Sequence, residues 1–242
     1  MEHEIWLTAL FNDHLAGLGN TFLQLVKMPA QDRPWANFVT IEILVVLLLM
    51  VLAAVVRSSL SVEKPGGGQH VVELLMEFLD AQAMDNIAHH HKKYLPYFGA
   101  IFLFILVCNL IGLIPGMESP TMFPPVPAGC ALATFAYYNL QGLREHGVFK
   151  YALTFLGPMP AAAPLMLPIE IISHLARPLS LTIRLFANMF AGEQVTLVFL
   201  GMVPLAIPAV FMGLHFFVGF IQAYVFTLLA MIYVGGAVSH EH

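Results

Sequence analysis

The segment RPLSLTIRLFANMFAGE, residues 177–193, decides the fold because it joins a long apolar, helix-like pattern to charged side chains. Arg177, Arg184 and Glu193 interrupt it. An arginine at the centre of a membrane helix costs about 2.5–3.5 kcal/mol on insertion scales and usually marks a functional position. The question is therefore why so hydrophobic a chain has a guanidinium in the middle of this segment.

The composition identifies the chain as an integral membrane protein. Of its 242 residues, 59% are hydrophobic and 10% are charged, whereas soluble domains carry about 25% charged residues. A span needs about 20 residues, so the length suits about five transmembrane helices and short loops. The predicted fold is an all-α polytopic membrane protein with an amphipathic surface helix and two long final helices in a membrane-embedded hairpin. The net charge of −5 does not indicate a nucleic-acid partner.

We expect a single membrane domain over residues 1–242, because the sequence shows no internal repeat and no soluble domain. Apolar residues at helical spacing from Val71 to Leu79, with acidic residues on the opposite face, predict a helix lying on the membrane surface. The predicted parts are an N-terminal outer segment (1–37), a first span (38–57), the amphipathic surface helix (69–93), spans two and three (94–143) and the helical hairpin (168–238).

The basic residues predict the orientation. Basic residues lie after the first span (57–64), before the second (92–93) and after the third (144–150). If the spans alternate in direction, all three groups lie on the same side of the membrane. The intervening loop 115–125 contains no Lys or Arg. Because cytoplasmic loops are enriched in Lys and Arg, we expect the N-terminus and the hairpin turn near Pro204 outside and the C-terminus inside.

A polar stripe runs along the first helix of the hairpin. At about 100° per residue, six positions fall within about 40° of Arg184. These positions are Glu170, Ser173, Arg177, Ser180, Arg184 and Asn188. Arg184 lies about 24 Å along the axis from Pro168, the expected helix start, and no carboxylate is three or four residues away. Snorkelling or an internal salt bridge suits Arg177, near the inner end, whereas Arg184 is expected to meet a carboxylate on another helix or another chain.

The last helix adds His215 and Gln222, which are seven residues apart and so lie on one face. An antiparallel hairpin turning near Pro204 predicts that Arg184 lies at the depth of Gln222 and Glu193 at the depth of His215. A Glu–His pair inside a membrane is a candidate proton relay. The alternative is a neutral, hydrogen-bonded packing pair.

Three motifs resemble the family of subunit a of the F-type ATP synthase. They are PLSLTIRLFANMFAGE (178–193), FIQAYVFTLLAMIYV (220–234) with the ending SHEH, and CNLIGLIPG (108–116) in the second span. The resemblance extends from about Gly66 to the C-terminus. The sequence departs from many members at Ala187, where they have glycine.

The resemblance implies a stator subunit beside a rotating ring of c subunits, each with a buried carboxylate. It implies that Arg184 is the essential arginine between two offset half-channels. It further implies four partners: protons, membrane lipid, the c-ring and the peripheral-stalk subunit b. By the same resemblance, the chain alone is not an enzyme and has no cofactor or metal. The implied location is a bacterial plasma membrane. The implied outer route contains Asn188, Glu193, His215, Gln222 and, in the second span, Asn109; the implied inner route contains Glu170, Ser173 and Ser180.

Three other interpretations remain open from the residues alone. A different transporter could use Arg184 to bind an anionic substrate. An intramembrane metalloenzyme could use the histidines of HHHKK (89–93), His174, His215 and the terminal HEH, although no HExxH motif is present. A structural scaffold would need no functional arginine.

Overall fold

Seven α-helices and no strand make up the described part of the chain. The computed structural model describes residues 4–25, 27–60, 66–87, 90–114, 116–154, 163–202 and 206–239. The helices are α1 (Trp6–Leu25), α2 (Asn37–Ser59), α3 (Gly67–Asn86), α4 (Leu95–Ile111), α5 (Pro125–Thr154), α6 (Ala163–Met202) and α7 (Ala206–Val238). Two 3-10 turns, His91–Lys93 and Pro120–Met122, precede α4 and α5. The all-α prediction is confirmed.

Two of the described helices are long and apolar enough to cross a membrane by length and composition alone. They cover Asn37–Ser58 in α2 and Val210–Val238 in α7, and Leu95–Ile111 is a shorter apolar helix. Helix α6 is the longest of the described helices, but the charges of its polar stripe lower its hydropathy. Its 40 residues span about 60 Å at 1.5 Å per residue, so a bilayer can be crossed only by a part of α6 or by a tilted α6.

The main core joins α3, α4, α5, α6 and α7. Phe98, Phe102, Tyr138, Leu185 and Phe226 are all almost completely buried in it. A smaller cluster connects α1, α2 and α4. Because α6 and α7 contribute to the main core through only one side each, the described residues leave their other sides uncovered. That arrangement leaves the polar stripe at the edge of the bundle.

Polar contacts near the helix ends place successive ends on the same side of the bundle. Lys93 Nζ lies 3.9 Å from Glu145 Oε2, which joins the start of α4 to the last third of α5. At the opposite end, Asn37 Nδ2 donates to Glu118 Oε2 at 3.4 Å, which joins the start of α2 to the loop after α4. These pairs agree with alternating spans.

Several element boundaries differ from those expected from sequence. The N-terminal segment contains α1, which buries Thr8 and Asn12 through hydrogen bonds to Thr40 and to the backbone of Trp35, at 32 and 23 positions' separation. Helix α3 ends at Asn86 rather than continuing to 93, because Ile87 is extended. Helix α6 begins at Ala163, so its Pro168 is interior. The expected hairpin turn at Pro204, the terminal residues 240–242 and most of the proline- and alanine-rich region (155–162) lie outside the described residues.

Candidate functional site

Arg184 lies near the middle of α6, on a side that none of the described segments covers. The helix packs into the core through Leu181, Leu185 and Met189, which recur every four residues. Arg184 precedes Leu185 and is therefore rotated by about 100° from it. Its side chain is exposed, and among the described residues no hydrogen bond or ion pair involves it. The arginine thus faces the surroundings of the chain rather than its core.

Arg177 has a different environment, although it lies on the same stripe. Its Nη2 is 3.8 Å from Glu170 Oε1. Its guanidinium also lies over the ring of Tyr233 on α7, 5.3 Å from the ring centre. A cation over an aromatic face and beside a carboxylate is internally compensated. Arg177 therefore has the internal salt bridge expected for it.

The polar stripe follows the outward edge of α6 next to α7. Ser173, Ser180 and Asn188 are exposed, and Glu170 is partly buried beside Arg177. Asn188 turns toward α7, where its Nδ2 donates to Gln222 Oε1 at 2.7 Å. Gln222 is only 4% exposed. One end of the stripe is thus continuous with the interior of the bundle.

The partner of Gln222 is Asn188, not Arg184, which the sequence-based alignment placed at the same depth and expected it to meet. Helical side chains lean toward the N-terminus of their own helix, so each covers a spot about one position before its own Cα. In an antiparallel pair, the two side chains lean in opposite directions along the common axis. Gln222 therefore bonds to Asn188, one turn beyond Arg184 on α6.

His215 and Glu193 lie where α6 and α7 meet the loop after α4. His215 is 7% exposed, and a Cβ on Gly192 would lie 3.0 Å from its Nδ1. Glu193 lies beside the backbone of Ser119, and His215 lies beside that of Asn109. Within the described part of the chain, no ion pair or hydrogen bond joins Glu193 to His215. The predicted common depth is therefore consistent with the packing of Gly192 on His215, but each side chain turns toward α4 and its loop.

Asn109 connects these groups to α4. Its Nδ2 donates to the carbonyl of Gly219 on α7 at 2.9 Å, and its Oδ1 accepts a hydrogen bond from Thr121 at 2.7 Å. Ser119 contacts Thr121 at 2.8 Å and the carbonyl oxygen of Cys108 at 2.9 Å. We call Asn109, Ser119, Thr121, Glu193 and His215 the outer polar cluster, because the orientation predicted from the basic residues places it toward the outside.

Some polar atoms of this region are buried without a hydrogen-bond partner among the described residues. They are Glu193 Oε2, His215 Nε2 and Gln222 Nε2. Leaving a buried polar group unsatisfied costs about 1–3 kcal/mol, so such atoms call for a functional explanation. All three can bind water without first breaking a hydrogen bond to a described residue, and Glu193 and His215 can also exchange a proton.

A second polar group surrounds His174 at the other end of α6. His174 Nε2 lies 2.9 Å from Asn139 Oδ1, which also accepts a hydrogen bond from the Tyr151 hydroxyl at 2.9 Å. Asn139 Nδ2 donates to the Phe135 carbonyl at 2.7 Å, which fixes the orientation of the amide. Because an amide oxygen only accepts, His174 Nε2 carries the proton of this bond. The Tyr138 hydroxyl lies 3.3 Å from the same nitrogen.

Sequence analysis missed the hydroxyls of the outer polar cluster and the partners of His174. Ser119 and Thr121 belong to a proline-rich loop that showed only an acidic character. Asn139 and Tyr151 lie on α5 near the predicted end of span three. Their separation from His174 is 35 and 23 positions, so no local pattern could connect them. A polar residue inside a span, such as Asn139, was the available signal.

The histidines do not form a metal centre in the described part of the chain, where no group of three or more His, Cys, Asp or Glu side chains could hold an ion. His91, from the HHHKK segment, lies 3.3 Å from Asp80. His89 and the terminal histidines lie outside the described residues.

Comparisons with known proteins agree on one family. A family model described as ATP synthase A chain matches residues 38–235. The ATP synthase subunit a of Solibacter usitatus (strain Ellin6076) is 59% identical over 233 residues, which cover 96% of this chain and all of that protein. The ATP synthase subunit a of Koribacter versatilis (strain Ellin345) is 48% identical over 244 residues and covers both chains fully. Subunit a 1 of Syntrophotalea carbinolica is 46% identical over 199 residues, which cover 82% of this chain and 84% of that protein.

Proposed function

Since the chain belongs to the ATP synthase A chain family, we propose that it is the stator subunit that offers protons two offset half-channels to a rotating c-ring, with Arg184 between them. It is an integral membrane, proton-transporting component of the synthase. The proposed partners are the carboxylates of the c-ring and the peripheral-stalk subunit b. Proton flow through the two paths would drive the ring and so ATP synthesis.

The observation that carries the proposal is the environment of Arg184. Its guanidinium is exposed on an uncovered side of α6, with no compensating group among the described residues. Arginine remains protonated at any physiological pH. A permanent cation inside a membrane needs a partner of opposite charge. Because Arg184 lies on an uncovered helix face, we infer that another chain supplies this partner. A carboxylate on the ring supplies the required charge.

The outer polar cluster supports an outer half-channel. Glu193 and His215 are groups that can exchange protons, and each has a buried polar atom without a hydrogen-bond partner among the described residues. The hydrogen bond from Asn188 to Gln222 continues from this cluster to the stripe, one turn from Arg184. A proton from outside would pass Glu193 and His215 and protonate a ring carboxylate, whose neutral form can then face lipid.

The inner half-channel is proposed along the other half of the stripe. Ser180 and Ser173 are exposed on the same side of α6 as Arg184. Glu170, paired with Arg177, lies beyond them toward the predicted cytoplasmic end. After nearly a full turn, a ring carboxyl would release its proton along these residues.

Arg184 would keep the two routes separate. Its cation repels a proton that moves directly between the half-channels and attracts the deprotonated ring carboxylate, so each proton must travel with the ring. The transmembrane potential contributes about 2.3 kcal/mol per charge per 100 mV. The chain would perform no ATP chemistry itself, which belongs to other subunits. We further propose a bacterial plasma membrane location, with the N-terminus outside and the C-terminus in the cytoplasm.

The test compares ATP-driven acidification of inverted membrane vesicles containing the native chain, Arg184→Ala or Arg144→Ala. Arg144 is an exposed arginine of α5 outside the proposed routes, so its replacement controls for loss of one positive charge. We expect Arg184→Ala to abolish pumping while the c-ring still co-purifies, and Arg144→Ala to pump normally. If Arg184→Ala assembles and pumps, Arg184 is structural and the half-channel proposal fails.

A further inference from the structure

A membrane-facing groove lies between α2, α3 and α4, away from both proposed proton routes. Its volume is about 560 Å³, within the range of about 300–1,000 Å³ common for small-molecule sites. Ala53 and Arg57 line it from α2, Val72 from α3, and Ala100 and Leu103 from α4. The groove is therefore large enough for part of a small amphiphile.

The groove exists because α2 packs on the bundle with only its first half. Ile41 and Val45 are fully buried in the smaller core cluster. Beyond Val45, none of the described side chains of α2 is buried. The facing positions Ala53 and Ala100 are small, so they leave the gap between α2 and α4 unfilled.

The dimensions fit one leaflet of a bilayer. The lining extends from Val46 in α2 to Leu60 directly after it, which corresponds to about 21 Å at 1.5 Å per residue. One leaflet including its headgroup region is about 20–22 Å thick, half of the roughly 40–45 Å of a whole bilayer. The groove thus runs from near the bilayer midplane to the interface at the C-terminal end of α2.

The chemistry of the groove changes at that end. The lining is otherwise apolar, and Arg57 is its charged member. Arg57 is exposed, and within the described residues its guanidinium makes no hydrogen bond or ion pair. On α3, the carboxylate next to Val72 in sequence, Glu73, already accepts a hydrogen bond from Gln69 at 2.6 Å and lies 3.8 Å from His70. As far as the described residues go, the cation is therefore uncompensated and can bind an anion.

We propose that this groove binds an anionic phospholipid of the leaflet on the Arg57 side. An acyl chain lies along Ala53 and Ala100, and the headgroup phosphate accepts hydrogen bonds from Arg57. A guanidinium matches phosphate geometry better than a single ammonium does, and basic pockets between membrane helices bind anionic headgroups. The site is independent of the proton path through Arg184.

The test measures lipid retained by the whole ATP synthase complex. The purified complex is reconstituted in nanodiscs with equal amounts of dioleoylphosphatidylglycerol and dioleoylphosphatidylcholine, and bound lipid is counted by native mass spectrometry after mild release. For the native chain we expect selective retention of phosphatidylglycerol. Arg57→Gln should lower the retention of phosphatidylglycerol about fivefold and leave the retention of phosphatidylcholine unchanged. Arg144→Gln is the matched control, and it should retain as much phosphatidylglycerol as the native chain.

A second variant tests the groove rather than the charge. Ala53→Phe should fill the gap, so that neither phosphatidylglycerol nor phosphatidylcholine is retained there. ATP-driven pumping should stay within twofold of native. Equal retention of the two lipids by the native complex, or unchanged phosphatidylglycerol retention in Arg57→Gln, would overturn the proposal. So would a cross-link from Leu52→Cys to a co-purified protein chain without retained lipid, since a partner helix would then occupy the groove.

Discussion

Two arginines on one helix show how the environment of a residue, rather than its type, sets its role. Arg177 is compensated by Glu170 on its own helix and by the Tyr233 ring on α7. Arg184 lies seven positions further along the same stripe, exposed and without such contacts in the described part of the chain. Replacing Arg177 would disturb contacts within the chain, whereas replacing Arg184 is expected to disturb a contact between chains.

At the scale of single residues, Gly192 is expected to control the position of His215. A Cβ at Gly192 would lie 3.0 Å from His215 Nδ1, so Gly192→Ala should push the buried imidazole away from its preferred rotamer. Such a displacement costs about 0.5–1.5 kcal/mol. We expect ATP-driven proton pumping in inverted vesicles to fall about three- to tenfold, with assembly of the complex preserved.

Gly213→Ala is the control for that experiment. It lies on α7, and a Cβ there would meet nothing within 4 Å. It should leave pumping within twofold of native, because alanine only raises the helix propensity, by about 1 kcal/mol. If both variants pump normally, the position of His215 does not limit the outer route.

At the scale of elements, glycines let α7 approach its neighbours closely. A Cβ on Gly219 would lie 3.2 Å from that of Asn109, so the glycine brings its own carbonyl within hydrogen-bonding reach of the Asn109 amide. Near the end of α7, a Cβ on Gly235 would overlap the backbone carbonyl of Asn86, the last residue of α3. The last helix is thus held against α4 and α3 at positions where a side chain would separate them.

Gly235→Ala is expected to destabilise the contact between α7 and α3. The added methyl group meets backbone rather than a flexible side chain, and overpacking of this kind costs about 1–3 kcal/mol. We expect a lower thermal midpoint for the chain in the purified complex, measured by differential scanning fluorimetry. The adjacent variant Gly236→Ala should have a thermal midpoint equal to or slightly above that of the native chain, since a Cβ there meets open space. Equal midpoints for the two variants would show that the α3 end moves without cost.

At the scale of the whole molecule, the helix ends divide into two sets. Lys93 and Glu145 join the start of α4 to α5 at one end, and Asn37 and Glu118 join α2 to the loop after α4 at the other. The basic residues of the first set predict which end faces the cytoplasm. The direction of proton flow through the proposed half-channels depends on this orientation.

Cysteine labelling tests the orientation. Met28, between α1 and α2, and Ser58, at the end of α2, are exposed at opposite ends of that helix. With a membrane-impermeant maleimide, Met28→Cys should label only in right-side-out vesicles and Ser58→Cys only in inverted ones. The parent chain supplies the background, because its two cysteines, Cys108 and Cys130, are buried. The reverse pattern would exchange the inner and outer routes.

The sequence was sufficient to predict the class of fold and to select the candidate residues of the site. Composition and helical spacing predicted an all-α membrane chain, and the spacing of the stripe singled out Arg184 and Asn188. The same spacing placed His215 and Gln222 on one face of the last helix, and both are buried in the structure. The existence of α1 escaped prediction, because Thr8 and Asn12 depend on partners more than 20 positions away.

What the sequence by itself determined is the direction of each side chain around its own helix, because that depends only on the local period of about 3.6 residues per turn. Tertiary structure alone decided that Asn188 rather than Arg184 bonds to Gln222, that Asn139 holds His174, and that α2 and α4 leave a groove beside Arg57. These features depend on the rotation and register of one helix against another. Packing between residues distant in sequence sets both, so no local period contains them.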